Sequence, residues 1–195
     1  KADVLVMGGD VMGKLTIPVI REASGAHRAT IHGRVERLET AADVEATRRR
    51  IADLGFYDTL VDEDEYRAIR DDEHAVEALW QRLAGDRLER WIAMAEDRLG
   101  PAGIRCYVSG GNDDLTEVMA TLPASGTRSF VGCEGRVVAL DDDIAMVSLP
   151  YVNPTPWHTP REAPEAELGE MIEEIVAGLP DPSKAVFNFH APPVE

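Results

Sequence analysis

Ile104 to Leu115 reads IRCYVSGGNDDL, an apolar and β-branched run that breaks at Gly110-Gly111 and continues into Asn112, Asp113 and Asp114. That pattern predicts a buried strand ending in a tight turn. The glycines accept backbone angles that other residues resist, and oxygen-bearing side chains are left at the strand's carboxyl end. In open α/β sheets that end is where ligands bind. The pattern recurs twice: Ala2 to Met7 (ADVLVM) runs into Gly8-Gly9-Asp10, and Lys184 to Phe189 (KAVFNF) runs into His190-Ala191-Pro192-Pro193. Taken singly, Asp10 and Asn112 are ordinary turn residues and His190 a satisfied core histidine. The prolines after His190 bar a continuing ladder and place its ring at a sheet edge. Three strand ends, each delivering a carboxylate, an amide oxygen or an imidazole, point to a metal-dependent hydrolase site at the rim of a sheet.

The 195 residues suffice for one domain with an elaboration on it. A hydrophobic fraction of 44% and a charged fraction of 29% are those of a soluble globular chain. No apolar run approaches the roughly 20 residues of a membrane span, and no signal peptide is visible. The net charge of -16 argues against a nucleic-acid groove, which carries a basic stripe. An acidic protein that handles phosphate esters needs cations to offset its own field. Cys106 and Cys133 lack metal-ligand spacing and read as reduced, buried thiols, so the expected location is cytoplasmic. The chain begins at Lys1, one residue before a strand-like run, and stops at Glu195 just after Pro192-Pro193, so we expect an internal portion of a longer protein.

Val11 to Ile20, with Pro18, reads as a loop, and His27 to Leu38 as a hairpin around Gly33. Thr40 to Leu54 has helical periodicity, with Thr40 as N-cap and Gly55 as stop. Val61 to Arg70 reads as a short acidic helix or turn. Asp72 to Leu99 is the strongest helix, with Val76, Leu79, Trp80, Leu83, Leu88, Trp91, Ile92, Ala95 and Leu99 on one core-facing stripe. Residues 41–99 hold nine arginines against sixteen acidic residues, so Arg48-Arg49-Arg50 is read as a solvated helix face. A short helix at Leu115 to Leu122, capped by Asp113 or Asp114, follows the GGNDD turn. Strands are expected at Ser129–Val131, Arg136–Leu140 and Ile144–Leu149, then a Pro-rich loop from Tyr151 to Glu162, a helix from Pro164 to Leu179 and the last strand. Helices alternating with apolar strands predict an α/β class.

Gly8 to Leu15, GGDVMGKL, nearly spells the phosphate-cradling P-loop GxxxxGK[ST]. Leu15 replaces the magnesium-ligating hydroxyl, Asp10 puts a carboxylate among amides that should face phosphate, and Pro18 follows too soon for a helix. A P-loop nucleotide-binding protein is therefore the lesser alternative.

The order GGD (Gly8–Asp10), GGNDD (Gly110–Asp114) and NFHAPP (Asn188–Pro193) resembles the central motifs of the calcineurin-like metallophosphoesterase superfamily. The resemblance covers the core strands and the loop TPWHTPRE (Thr155 to Glu162). The family has an Asp-x-His before the first of these motifs and a Gly-His-x-His after the last, and neither stands at those places in these residues. It implies an αββα sandwich over residues 1–195, incomplete as a domain, with a helical insertion at about 40–100. The spacing of 102 positions between Asp10 and Asn112 is wide for the family. It further implies that Asp10 bridges two metals and that Asn112 and His190 ligate the second. Many members follow the motif asparagine with a histidine that assists the leaving group. Asp113 stands there, leaving the general acid open between Asp113 and His158 of the Pro-rich loop. Asp114 takes the family's geometry-supporting acidic position, and Lys14 and Arg161 are read as surface charges.

The function this implies is phosphoester hydrolysis by a dinuclear centre, through in-line attack of a metal-bound hydroxide. Mn, Fe and Zn all suit such a ligand set. The substrate would be a small phosphoester, and a chain with about half the family's ligands is expected to be a poor catalyst alone. The alternative from another class is a non-catalytic scaffold or binding protein on the same fold, which Asp113 favours.

Overall fold

The run that ends in Gly8-Gly9-Asp10 folds as strand β1 (Val4–Gly8) in the computed structural model, which describes residues 3–124 and 127–192. Ala2 of the first expected strand and Pro193 of the closing turn lie outside the described residues. After Val11 the chain enters a compact unit, Met12–Arg87, and the remaining residues form a second unit.

The first of these units begins with a strand where a loop is expected: β2 (Thr16–Arg21) includes Pro18. Its neighbour β3 (His27–Ile31) pairs only with Val19 to Arg21, so Pro18 costs no ladder bond on that side. The expected hairpin forms between β3 and β4 (Arg34–Leu38). Its turn residues His32 and Gly33 have φ of 49° and 76°, as a tight primed turn requires. Helix α1 (Ala41–Asp53) carries a reciprocal cap: the Thr40 hydroxyl accepts from Asp43 N–H, and the Asp43 carboxylate accepts from Thr40 N–H. Gly55, at φ 80°, reverses the chain into β5 (Tyr57–Asp62), which pairs parallel with β2. The sequence reading assigns no strand there. Asp62 caps the acidic helix α2 (Glu63–Arg70).

The sheet order is β4-β3-β2-β5. Ile17, Val19, Ala29, Ile31, Leu38, Val44 and Ile51 form its core, joined by Phe56. The unit Met12–Arg87 is built on this sheet, and residues 40–100, expected as a helical insertion, include β5 as well as helices and run past Arg87 into the other unit. Arg48 pairs with Asp58 at 2.5 Å and Glu45 at 3.0 Å, and Arg50 pairs with Glu36, so the arginine run is tied into local ion pairs.

Helix α3 (Glu73–Leu99) is continuous through Gly85 and passes from one unit into the other. Of its expected core stripe, Leu88 and Ala95 are buried together with Ala84, whereas Val76 is exposed. Trp80 is half-buried and its Nε1–H donates to the Gly13 carbonyl at 2.9 Å.

In the second unit, β6 (Arg105–Ser109) is followed by the short helices α4 (Thr116–Met119) and α5 (Thr121–Ala124) and by β7 (Phe130–Gly132). Then come β8 (Val137–Ala139), β9 (Ala145–Leu149), helix α6 (Glu165–Ala177) and β10 (Ala185–Phe189). The expected cap by Asp113 or Asp114 is not made: Leu115 occupies the N-cap of α4 with no side-chain hydrogen bond. Two sheets result, an all-parallel β1-β6-β7 and a mixed β10-β9-β8.

The two sheets of this unit share a core of Tyr107, Cys133 and Met146, against which Val4, Val131, Val138 and Leu140 pack. Tyr107 O–H donates to Ala139 O at 2.8 Å. Alternation along β9 sends Met146 into this core and Leu149 the other way. There Leu149 packs with Ala163 and Leu168, beside Met171 and Ile172 of α6. Cys106, one residue from Tyr107 and on the opposite face, lines an apolar groove of about 270 Å³ with Met7, Phe130 and the Trp91, Met94 and Ala95 side chains of α3. Among the described residues the fold is thus mixed α/β, with ten strands in three sheets. No described helix is long and apolar enough to cross a membrane.

Candidate functional site

Parallel pairing of β1 with β6 sets Gly8 opposite Ser109, so the two strands end level and their turns leave the sheet side by side. The third strand end arrives from the other sheet, where β10 pairs parallel with β9 and His190 N–H donates to Leu149 O at 2.9 Å. Three residues distant in sequence meet as a result. His190 Nε2 lies 2.9 Å from Asn112 Oδ1 and 3.5 Å from Asp10 Oδ1, while Nδ1 lies 3.3 Å from Gly8 O. Asp10 and His190 are partly open to solvent, with side chains 34% and 22% exposed.

Glycines make this convergence possible. A Cβ on Gly9 would stand 2.4 Å from His190 Nδ1, and one on Gly111 would stand 2.4 Å from Asp10 Oδ1 and 2.8 Å from His190 Cε1. No side chain fits at either place. Asp10 itself sits at φ 50°, a left-handed conformation that costs a non-glycine residue roughly 1–2 kcal/mol. The turns are fastened by Asp114, which is fully buried: its Oδ2 accepts from Val11 N–H at 3.1 Å and Gly111 N–H at 2.6 Å. Asp114 is thus a buried carboxylate that latches both turns together.

The donor types suit divalent cations: an imidazole nitrogen lies 2.9 Å from an amide oxygen and 3.5 Å from a carboxylate oxygen. Among the described residues no cluster of three or more His, Cys, Asp or Glu side chains stands ready to hold a metal. The site relies on the amide of Asn112 as its third donor. Asp113 follows directly in the turn and is partly buried, whereas His158 is exposed and sits at φ 51°.

The loop Tyr151 to Glu162 is joined to this site in ways the sequence reading missed. Asn112 Nδ2–H donates to Thr159 Oγ1 at 3.0 Å, and Asn112 O accepts from Arg161 N–H at 3.2 Å. Thr159 is held in turn by Glu162, whose Oε1 accepts from Thr159 N–H and Oγ1–H, both at 2.8 Å, and from Thr155 Oγ1–H at 2.5 Å. The Thr155 hydroxyl above all, with the Thr159 donors, lowers the Glu162 carboxyl to about 2. The spacing T-x-x-E from Thr159 to Glu162 is the signal for the half of this clasp in which the glutamate reaches back to the threonine N–H.

Arg161, read from the sequence as a surface charge, is 1% exposed. Its Nη1 lies 2.7 Å from Glu134 Oε2, yet among the described residues none of its side-chain nitrogens makes a well-formed hydrogen bond. The guanidinium underlies the GGN turn: a Cβ on Gly110 would stand 2.6 Å from Nη1, and Gly110 N–H donates to Glu134 Oε2 at 3.3 Å.

The P-loop alternative meets local obstacles. After Lys14 the chain forms β2 and not a helix. The Val11 amide is taken by Asp114 and the Gly13 amide by Tyr57 Oη at 2.8 Å, so neither faces a phosphate. Compared with known proteins, the chain matches no family model, no curated protein and no solved structure.

Proposed function

We propose that the protein is a metal-dependent phosphoester hydrolase of the calcineurin-like kind, with Asp10, Asn112 and His190 as ligands of a dinuclear centre. The observation that carries this reading is the meeting of His190 Nε2 with Asn112 Oδ1 at 2.9 Å and Asp10 Oδ1 at 3.5 Å. Unrelated turn residues from strands 78 positions apart have no reason to converge so closely. Two divalent cations of the Mn, Fe or Zn type would supply polarisation of the phosphoryl oxygens and offset the substrate's charge. The chain's own residues do the rest. The glycines bring the three donors together, Asp114 fixes the turns, and Asp113, next to Asn112 in the turn, is the residue we assign to assist the leaving group, with His158 as the other candidate. A net charge of -16 makes bound cations necessary for an anionic substrate to approach.

An αββα sandwich is the matching architecture. Its support is the core shared by the two sheets, the α6 residues against β9 on one outer face and the α3 residues beside Cys106 and Phe130 on the other.

A second reading, a scaffold with a degenerate site, is favoured by Asp113 where a histidine would assist the leaving group. Calorimetric titration with Mn²⁺ separates the two. The hydrolase reading expects saturable binding that Asp10→Ala and His190→Ala each weaken more than tenfold, with slow turnover of a chromogenic phosphodiester. A wild-type protein that binds no Mn²⁺ would sink the hydrolase and leave the scaffold.

A further inference from the structure

An asparagine amide offers an oxygen on one side and an NH₂ group on the other, and only the oxygen binds a cation. Which side faces His190 is decided by its neighbours. Thr159 has one hydroxyl proton, and that proton goes to Glu162 Oε1 at 2.8 Å. A carboxylate has no proton to give back, so the bond runs in one direction. Towards Asn112 the Thr159 oxygen can then only accept. The group at 3.0 Å from it must be the Asn112 NH₂, and the amide oxygen is turned to His190, 2.9 Å from Nε2.

We propose that Thr159, backed by Glu162, is a positioning residue that holds the Asn112 amide with its oxygen facing His190 and Asp10. Glu162 acts through Thr159 and touches none of the three donors. The same carboxylate also accepts from Thr159 N–H and Thr155 Oγ1–H, so Thr159 is fixed by backbone as well as side chain. The His158 N–H bond to Thr155 O and the Trp157 N–H bond to Thr155 Oγ1 complete a small closed loop on which Thr159 sits. The consequence for metal affinity rests on the metal-site reading above; the amide orientation does not.

The test uses the wild-type chain, Thr159→Val, Thr159→Ser and Glu162→Ala, with circular dichroism confirming the fold of each. In metal-free protein, NMR of the Asn112 side-chain amide should show one Nδ2 proton exchanging with water at least tenfold more slowly than those of exposed asparagines. Thr159→Val should abolish that protection and Thr159→Ser should restore it. Mn²⁺ affinity should fall roughly 10–100-fold in Thr159→Val, the usual cost of losing an outer hydrogen-bond partner, and stay within about threefold in Thr159→Ser. Glu162→Ala frees the Thr159 proton to point at Asn112, so the amide turns over and Mn²⁺ affinity drops even where Thr159→Val is too unstable to measure. The proposal is overturned if Thr159→Val keeps both the slow amide proton and wild-type Mn²⁺ affinity, or loses affinity while the slow proton persists. A wild-type chain that binds no Mn²⁺ but shows the slow proton, lost in Thr159→Val, overturns the hydrolase reading and upholds the positioning role.

Discussion

The backbone of Gly111 lies so close to Asp10 that a Cβ there would stand 2.4 Å from the Asp10 Oδ1 atom and 2.5 Å from the Asp10 amide nitrogen. The second contact is to backbone and cannot be relieved by turning a side chain. Gly111→Ala should therefore push the two turns apart, at about 1–3 kcal/mol for the overpacking. Urea denaturation would measure that loss, and Mn²⁺ titration should show affinity reduced at least tenfold. An alanine variant with native stability and native affinity would show that the turns are not held at van der Waals distance.

The buried Arg161 guanidinium depends on Glu134, its ion-pair partner at 2.7 Å. Glu134→Ala leaves that charge without its counter-ion under the GGN turn. Removing one partner of a buried pair costs roughly 3–5 kcal/mol. Because the Glu134 side chain is 28% exposed, we expect a value near the lower bound. Replacing Arg161 with Met together with Glu134→Gln should recover much of the loss, since it removes the uncompensated charge. Equal stabilities for the single and double variants would contradict this.

Burial raises both thiols above their ordinary pKa, in Cys133 despite the Ser148 Oγ atom 3.2 Å from its sulfur. The thiolate is the reactive form. At pH 8 the folded protein should react with a disulfide reagent at least tenfold more slowly than free cysteine, and both thiols should titrate promptly in guanidinium. Rapid modification of either in the native state would refute their burial.

Glu162 titrates at about 2 when folded, below the ordinary 4.5, with the Thr155 hydroxyl as the main cause. A lowered carboxyl pKa contributes stability that is complete above the unfolded value and lost as pH falls through the folded one. The clasp over Thr155 and Thr159 should hold unchanged from neutral pH to about 4.5 and open only as pH approaches 2. Carbon-13 NMR of the Glu162 carboxyl would follow it directly. A midpoint at 4 or above would mean that the clasp is not closed in solution.

Strand ends were the legible part of this chain. Apolar runs cut by paired glycines mark β1 and β6, and the run into His190 marks β10, because backbone freedom and hydrophobicity change together there. The hairpin at His32-Gly33 and the Thr40 cap were readable for the same reason: each is a local signal in adjacent residues. β2 and β5 were not, since Pro18 argued against one and the acidic stretch from Val61 blurred the other. Their support is mutual pairing across about 40 residues. The periodicity of α3 promised a buried stripe, yet burial depends on what lies opposite, and Val76 remains exposed. Arg161 looked like any loop arginine. Only the fold around Glu134 and Gly110 makes it interior.

The Asp114 carboxylate receives the amides of both Val11 and Gly111, one from each turn. Those turns are therefore geared to a single pin and cannot swing open independently. On the proposed function, an ion held there would take two of its donors from turns that share this pin and the third, the imidazole, from the end of β10. The imidazole is anchored separately, through the His190 N–H bond to Leu149 O on the neighbouring strand.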